Sequence, residues 1–200
     1  MKYTTLISSD TLASILNSHN LIIIDCRFDL QKPEWGYETY KQSHIPGALY
    51  AHLNNDLSGP VKSHTGRHPL PEPDIFINKL SSWGITTDKQ VVVYDTAGGS
   101  MAARLWWMLR VFGHKNVALL DGSYQNWLAS NLPTTSNVEK LQPTTFYGNF
   151  HPEMIADAQE VDQIRLNPDY CLIDARSPER YRGEIETIDP IAGHIPGAVN

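Results

Sequence analysis

Cysteine is almost absent from this 200-residue chain, with Cys26 and Cys171 the only two. Two thiols make neither a disulfide framework nor a zinc-ligand set. The eight histidines show no metal-ligand spacing and no Gly-Lys-Ser/Thr phosphate loop occurs, so no metal and no cofactor is expected. Long apolar runs are lacking too: Leu21 to Ile24 is typical, far too short to span a bilayer. The opening residues, Met1-Lys2-Tyr3-Thr4-Thr5-Leu6-Ile7, carry no apolar core or small-residue cleavage site of a secretory signal. Nor is positive charge in excess. A net charge of −6 and a pI near 5.7 argue against broad binding to nucleic acid or an anionic membrane. What remains, 41% apolar and 19% charged residues, suits a globular core and points to a soluble, cytoplasmic protein.

Strand and helix signals alternate through the first two-thirds. Asp10 is positioned to cap a helix bearing Leu12, Ile15 and Leu16. Leu21-Ile22-Ile23-Ile24-Asp25 reads as a parallel strand buried on both faces. Ile75, Leu80 and Trp83 mark a helix, Val91-Val92-Val93-Tyr94 a second buried strand, and Gly98-Gly99-Ser100 the opening of a helix with Leu105, Trp106, Leu109 and Phe112. Of the adjacent Trp106 and Trp107, one is expected in the core and the other at a domain interface. Val117 to Leu120 is a further strand and Tyr124 to Leu128 a further helix. This alternation implies an α/β domain with a central parallel sheet flanked by helices. Thr134 to Thr145 is polar and reads as a linker, after which a helix at Ala158–Leu166 and a strand at Tyr170–Asp174 are expected.

An internal repeat organises the chain. Leu21-Ile22-Ile23-Ile24-Asp25-Cys26-Arg27 leads to His44-Ile45-Pro46-Gly47-Ala48, and Cys171-Leu172-Ile173-Asp174-Ala175-Arg176 leads to His194-Ile195-Pro196-Gly197-Ala198. The Asp-to-His intervals are 19 and 20 residues. Each histidine is expected to brace its turn. The first copy continues through several more elements, whereas the second reaches only Asn200, so a longer parent chain is expected. The domain division this implies is 1–133, a linker over 134–151, and the start of a second copy over 152–200.

Ligands of open α/β sheets bind beyond strand carboxyl ends, where a loop meets a helix N-terminus. The best such loop, Asp95-Thr96-Ala97-Gly98-Gly99-Ser100, carries a carboxylate where a sulfur nucleophile would stand, and is expected to be tied down by its own Asp95. Cys171 lies within a strand expected to be buried. Cys26 adjoins Arg27 but no glycine-rich cradle follows it. A phosphatase loop needs an arginine six positions after its cysteine, and Lys32 and Ser177 stand there instead. No residue of the chain is therefore assigned as catalytic. His64 and His68 flank Gly66-Arg67 in a polar loop, facing either a cleft or solvent. Arg176, Arg180 and Arg182 cluster after the second Asp-bearing strand, where they could clamp an anion.

Taken together, these residues resemble the two-domain rhodanese-like sulfurtransferases. The resemblance runs from about Leu21 to Asn200. It is strongest over Arg104-Leu105-Trp106-Trp107-Met108-Leu109-Arg110-Val111-Phe112-Gly113-His114 and Asp121-Gly122-Ser123-Tyr124-Gln125-Asn126-Trp127-Leu128. Asp56-Leu57-Ser58-Gly59-Pro60, Thr65 to Pro71 and both His-Ile-Pro-Gly-Ala turns add to it. The resemblance implies a non-catalytic first domain, with Asp95 on its loop, and a second domain whose cysteine lies beyond residue 200. It implies sulfur transfer from a small anionic donor, thiosulfate or 3-mercaptopyruvate, to cyanide or a thiol through a cysteine persulfide. Arg180 matches the arginine that holds the donor's anionic end, and Asp56 and His68 match cleft-lining positions. Asp189 stands where mercaptopyruvate-type members carry an arginine, which favours thiosulfate. The competing expectation is a catalytically inactive rhodanese-like binding module.

Overall fold

The computed structural model describes residues 2–200, which divide into two compact units, one ending at His151 and the other spanning Pro152–Asn200. The first unit holds β1 (Leu6–Ile7), α1 (Ser9–Ser14), β2 (Leu21–Asp25), α2 (Trp35–Gln42), β3 (Ala48–Tyr50), α3 (Pro73–Ser82), β4 (Gln90–Tyr94), α4 (Ala102–Val111), β5 (Val117–Leu120) and α5 (Ser123–Ala129). Its strands form one parallel sheet in the order β1-β5-β4-β2-β3. Register aligns Asp25 with Tyr94 and with Tyr50, so the carboxyl ends of β2, β3 and β4 share one rim of the sheet. Ile23, Val92, Ala118 and Leu120 pack with Leu12 of α1 and with Tyr124 and Trp127 of α5. The alternate residues Ile22, Ile24, Val91 and Val93 face the other side and are equally buried, which explains the uninterrupted apolar runs.

Several features of the first unit differ from the expected pattern. The N-cap of α1 is Ser8, whose hydroxyl accepts from the Thr11 N–H, and Asp10 lies inside the first turn. The helix α2 carries three aromatics and a glycine, a composition of low helix propensity. Packing decides it: a Cβ on Gly36 would collide with the Arg27 carbonyl, so only glycine lets α2 lie this close to the chain leaving β2. Trp106 and Trp107 are both half-buried, and the Trp106 indole N–H donates to the Thr4 and Val117 carbonyls. Residues 134–151 run along the first unit. Thr135 pairs with His44, Thr144 N–H donates to the Ser81 carbonyl, and Phe146 is 3% exposed.

The second unit contains a 3-10 turn (Pro152–Met154), α6 (Ala158–Ile164) and α7 (Pro178–Arg182). The expected strand at Tyr170–Asp174 is reduced to one parallel bridge, Ile173 to Val199. Nothing in Pro152–Asn200 covers it: Ile173 is 69% exposed, and Cys171 is exposed rather than buried as expected. Among the described residues, no helix is long and apolar enough to cross a membrane.

Candidate functional site

Both repeat copies build the same frame. The Arg27 guanidinium grips Asp25 at 2.6 Å and reaches the Ser43 carbonyl at 2.7 Å. Arg176 repeats this with Asp174 and the Gly193 carbonyl at 2.6 Å. Behind each His-Ile-Pro-Gly-Ala turn a tyrosine stacks on the histidine, Tyr40 on His44 at 4.0 Å and Tyr181 on His194 at 3.8 Å. Each tyrosine hydroxyl donates to the alanine carbonyl of its turn, and each imidazole Nδ1 meets the tyrosine carbonyl. Gly47 and Gly197 take φ of +80° and +97°, a region closed to most side chains, which is why both turns need glycine. The histidines therefore brace their turns.

Beyond β4, the glycine loop converges four N–H groups on one point, and Asp95 fills it. Ala97 and Gly99 donate to one carboxylate oxygen at 2.9 Å, and Met101 and Ala102 to the other at 2.8 and 2.9 Å. Asp95 is 1% exposed, so the cradle is closed by its own side chain. Neither cysteine approaches it as a nucleophile. Cys26 is 2% exposed, and burial followed by the charges of Asp25, Asp95 and Asp56 pushes its thiol well above the ordinary range. Cys171 has solvent around it and no ring of donors.

The structure seats the first-unit candidates in different hollows. His68 lines one of about 360 Å3 with Phe28, Asn54, Ser58 and Arg67. Its Nε2 lies 3.0 Å from the Asn54 side-chain amide oxygen Oδ1, and burial plus the charges of Arg104 and Arg67 lower its pKa. Asp56 lines a separate hollow with Tyr37, Tyr50 and Trp83. Its carboxylate is held by Lys79 at 2.6 Å and by the His52 N–H at 2.8 Å. Arg104, which the sequence shows only as part of a family motif, clamps the intervening loop by donating to the Leu57, His68 and Pro69 carbonyls. Ser58 was also missed; its Oγ is buried without a partner.

In the second unit Arg180 stands on α7, where its Nε and Nη2 are engaged by Glu186 at 2.8–3.1 Å and its Nη2 also by Asp189 at 2.9 Å. The Glu186 carboxylate additionally accepts the Ile188 and Asp189 N–H groups, and these bonds with Arg180 hold its pKa at about 2. Arg182 turns to Glu184 instead. No spacing rule signals Glu186; only the fold brings it to Arg180. Among the described residues, no group of three or more His, Cys, Asp or Glu is set to hold a metal.

Comparison with known proteins matches residues 8–130 to the rhodanese-like domain family. Over 99% of the chain and 70% of the relative, it is 44% identical to a probable 3-mercaptopyruvate sulfurtransferase of Pseudomonas aeruginosa. A putative thiosulfate sulfurtransferase of Mycobacterium tuberculosis is 35% identical over 98% of the chain and 69% of its own length. The crystal structure of SseA from Escherichia coli, a 3-mercaptopyruvate enzyme of rhodanese fold, superposes with a TM-score of 0.83 at 30% identity, covering 99% of this chain and 74% of that one. Sequence motifs, parallel sheet and these likenesses agree, and the chain belongs to the rhodanese-like family of sulfurtransferases.

Proposed function

We propose that the protein takes sulfane sulfur from thiosulfate or 3-mercaptopyruvate, with Arg180 holding the donor's anionic end, and passes it to cyanide or a thiol. A cysteine thiolate attacks the donor's outer sulfur, the S–S bond of thiosulfate breaks with its electron pair, and sulfite leaves. The acceptor then attacks the outer sulfur of the persulfide and restores the thiolate. With 3-mercaptopyruvate the C–S bond breaks with its electron pair, and the leaving enolate takes up a proton to become pyruvate. Cys26 is buried and Cys171 is uncradled, so the thiolate comes from outside residues 1–200 in this reading. His68 and Asp56 belong to the first-unit side of the substrate cleft in this reading, and Asp189 favours thiosulfate over 3-mercaptopyruvate, because it stands where mercaptopyruvate-type members carry an arginine and repels that donor's carboxylate.

The observation that carries the proposal is a difference between the two copies. Tyr40 and Tyr181 occupy the same place in the frame, so Thr39 in the first copy stands where Arg180 stands in the second. Only the second copy places a guanidinium there. A charge-assisted contact of this kind contributes about 1.5–3 kcal/mol. In the natural full-length protein, Arg180→Ala should therefore lower kcat/KM for thiosulfate by about tenfold or more. Unchanged kinetics remove Arg180 from the site.

A second reading, a catalytically inactive binding module, draws on the self-filled Asp95 cradle. A thiocyanate assay separates the two. Residues 1–200 alone should form none from thiosulfate and cyanide, with or without Cys26→Ser, while the natural full-length protein should turn over. Turnover by residues 1–200 that vanishes in Cys26→Ser would make Cys26 the nucleophile. Silence of the full-length protein would favour the binding module.

A further inference from the structure

The two copies keep nearly equal Asp-to-His intervals but divide them differently. Fifteen positions separate Asp25 from Tyr40 and four separate Tyr40 from His44; the second copy has seven from Asp174 to Tyr181 and thirteen from Tyr181 to His194. The added stretch after α7 brings two carboxylates, Glu186 and Asp189, back to Arg180. They are not equivalent. The Glu186 side chain is 5% exposed, accepts two backbone N–H groups of its own segment, and spans both Nε and Nη2. That fixes the plane of the guanidinium. The Asp189 side chain is 34% exposed and meets the Arg180 guanidinium at Nη2, through one oxygen.

Resting on the reading that Arg180 binds the donor, we propose that this segment controls affinity: Glu186 positions Arg180, and Asp189 is an internal competitor that any anionic ligand must displace from Nη2. A displaceable carboxylate reduces apparent affinity by the fraction of time it occupies the guanidinium. The reduction applies to donor and product alike, because thiosulfate and sulfite are both small sulfur oxyanions that carry negative charge at neutral pH. Sulfite left on an uncontested arginine would compete with the next donor. Return of Asp189 to Nη2 favours its release, and the lower donor affinity is compatible with turnover because tight ground-state binding does not by itself raise kcat.

The test is equilibrium titration of the natural full-length protein with sodium thiosulfate and sodium sulfite at constant ionic strength. Asp189→Asn and Asp189→Ser should each tighten both anions by about threefold to tenfold. Glu184→Gln removes an exposed carboxylate of the same segment that pairs with Arg182, and should leave both affinities unchanged. Glu186→Gln should weaken both anions, and Glu186→Asp should not restore them, because the shorter side chain cannot span Nε and Nη2. The deciding arm is the Asp189→Asn change in an Arg180→Ala background, where the tightening should disappear. Unchanged affinity in both Asp189 variants, or tightening that persists without Arg180, overturns the inference while leaving the donor role of Arg180 intact. If Arg180→Ala alone fails to weaken either anion, the donor assignment is what has failed, and the inference falls with it.

Discussion

Arg27→Leu is expected to destabilise the protein by about 3–5 kcal/mol, the usual cost of leaving one member of a buried ion pair without its partner. Asp25 is 0% exposed, and its carboxylate depends on Arg27 and the Tyr94 hydroxyl, 2.9 Å away. Loss of the guanidinium also frees the Ser43 carbonyl and removes the cation lying 4.5 Å from the Tyr124 ring centroid. The pH dependence identifies the cause. Burial already raises the Asp25 pKa above its ordinary 3.8 despite the opposing pull of Arg27. For a carboxyl whose folded pKa is raised, the fold binds the proton more tightly than the unfolded chain. Its contribution is therefore favourable below the ordinary value and is lost as pH rises through the folded pKa. Without Arg27 that pKa climbs further, so urea unfolding should show a larger deficit at about pH 8 than at about pH 5. A deficit independent of pH would trace the loss to packing rather than to the stranded charge.

Asp95→Ala should cost about 3 kcal/mol or more, because it strands four converging N–H groups at once. Gly98 and Gly99 hold φ of +66° and +91°, which aims their neighbours inward. Denaturant midpoints report the loss, and amide hydrogen exchange at Gly99, Met101 and Ala102 should speed up ahead of the rest of β4 and α4. Asp95→Cys makes the companion test. The new thiol inherits the same four donors and should ionise far more readily than Cys26, giving rapid alkylation by iodoacetamide while Cys26 stays protected. Slow alkylation at position 95 would mean the donors do not form an anion cradle once Asp95 is gone.

The sulfurtransferase family, the parallel sheet and the self-filled Asp95 loop were all legible in the sequence. Each rests on local information: β2 and β4 are apolar on both faces, and a five-residue turn recurs at matching distance from an Asp-bearing strand. The short elements were not legible. β1 has two residues and β3 three, too few for any periodicity, and α2 exists because Gly36 admits the helix against Arg27 rather than because its residues favour helix.

For the site, the chain order shows Arg180 but not its surroundings, and the family resemblance names Asp56 and His68 as cleft-lining positions. Which hollow each one lines is set by folding: Lys79 of α3 holds Asp56 in one, and Arg104 of α4 clamps the His68 loop over another. Near-equal intervals in the repeat conceal that the second copy shortens the approach to its helix and lengthens the exit. Only tertiary structure reveals that the longer exit returns Glu186 and Asp189 to Arg180, since a contact between side chains six and nine residues apart depends on the path of the chain between them. Residue type and strand periodicity thus determine the family and the sheet, whereas the partners of each charged side chain are decided by folding, where burial forces every ion to find a counter-charge or an N–H group.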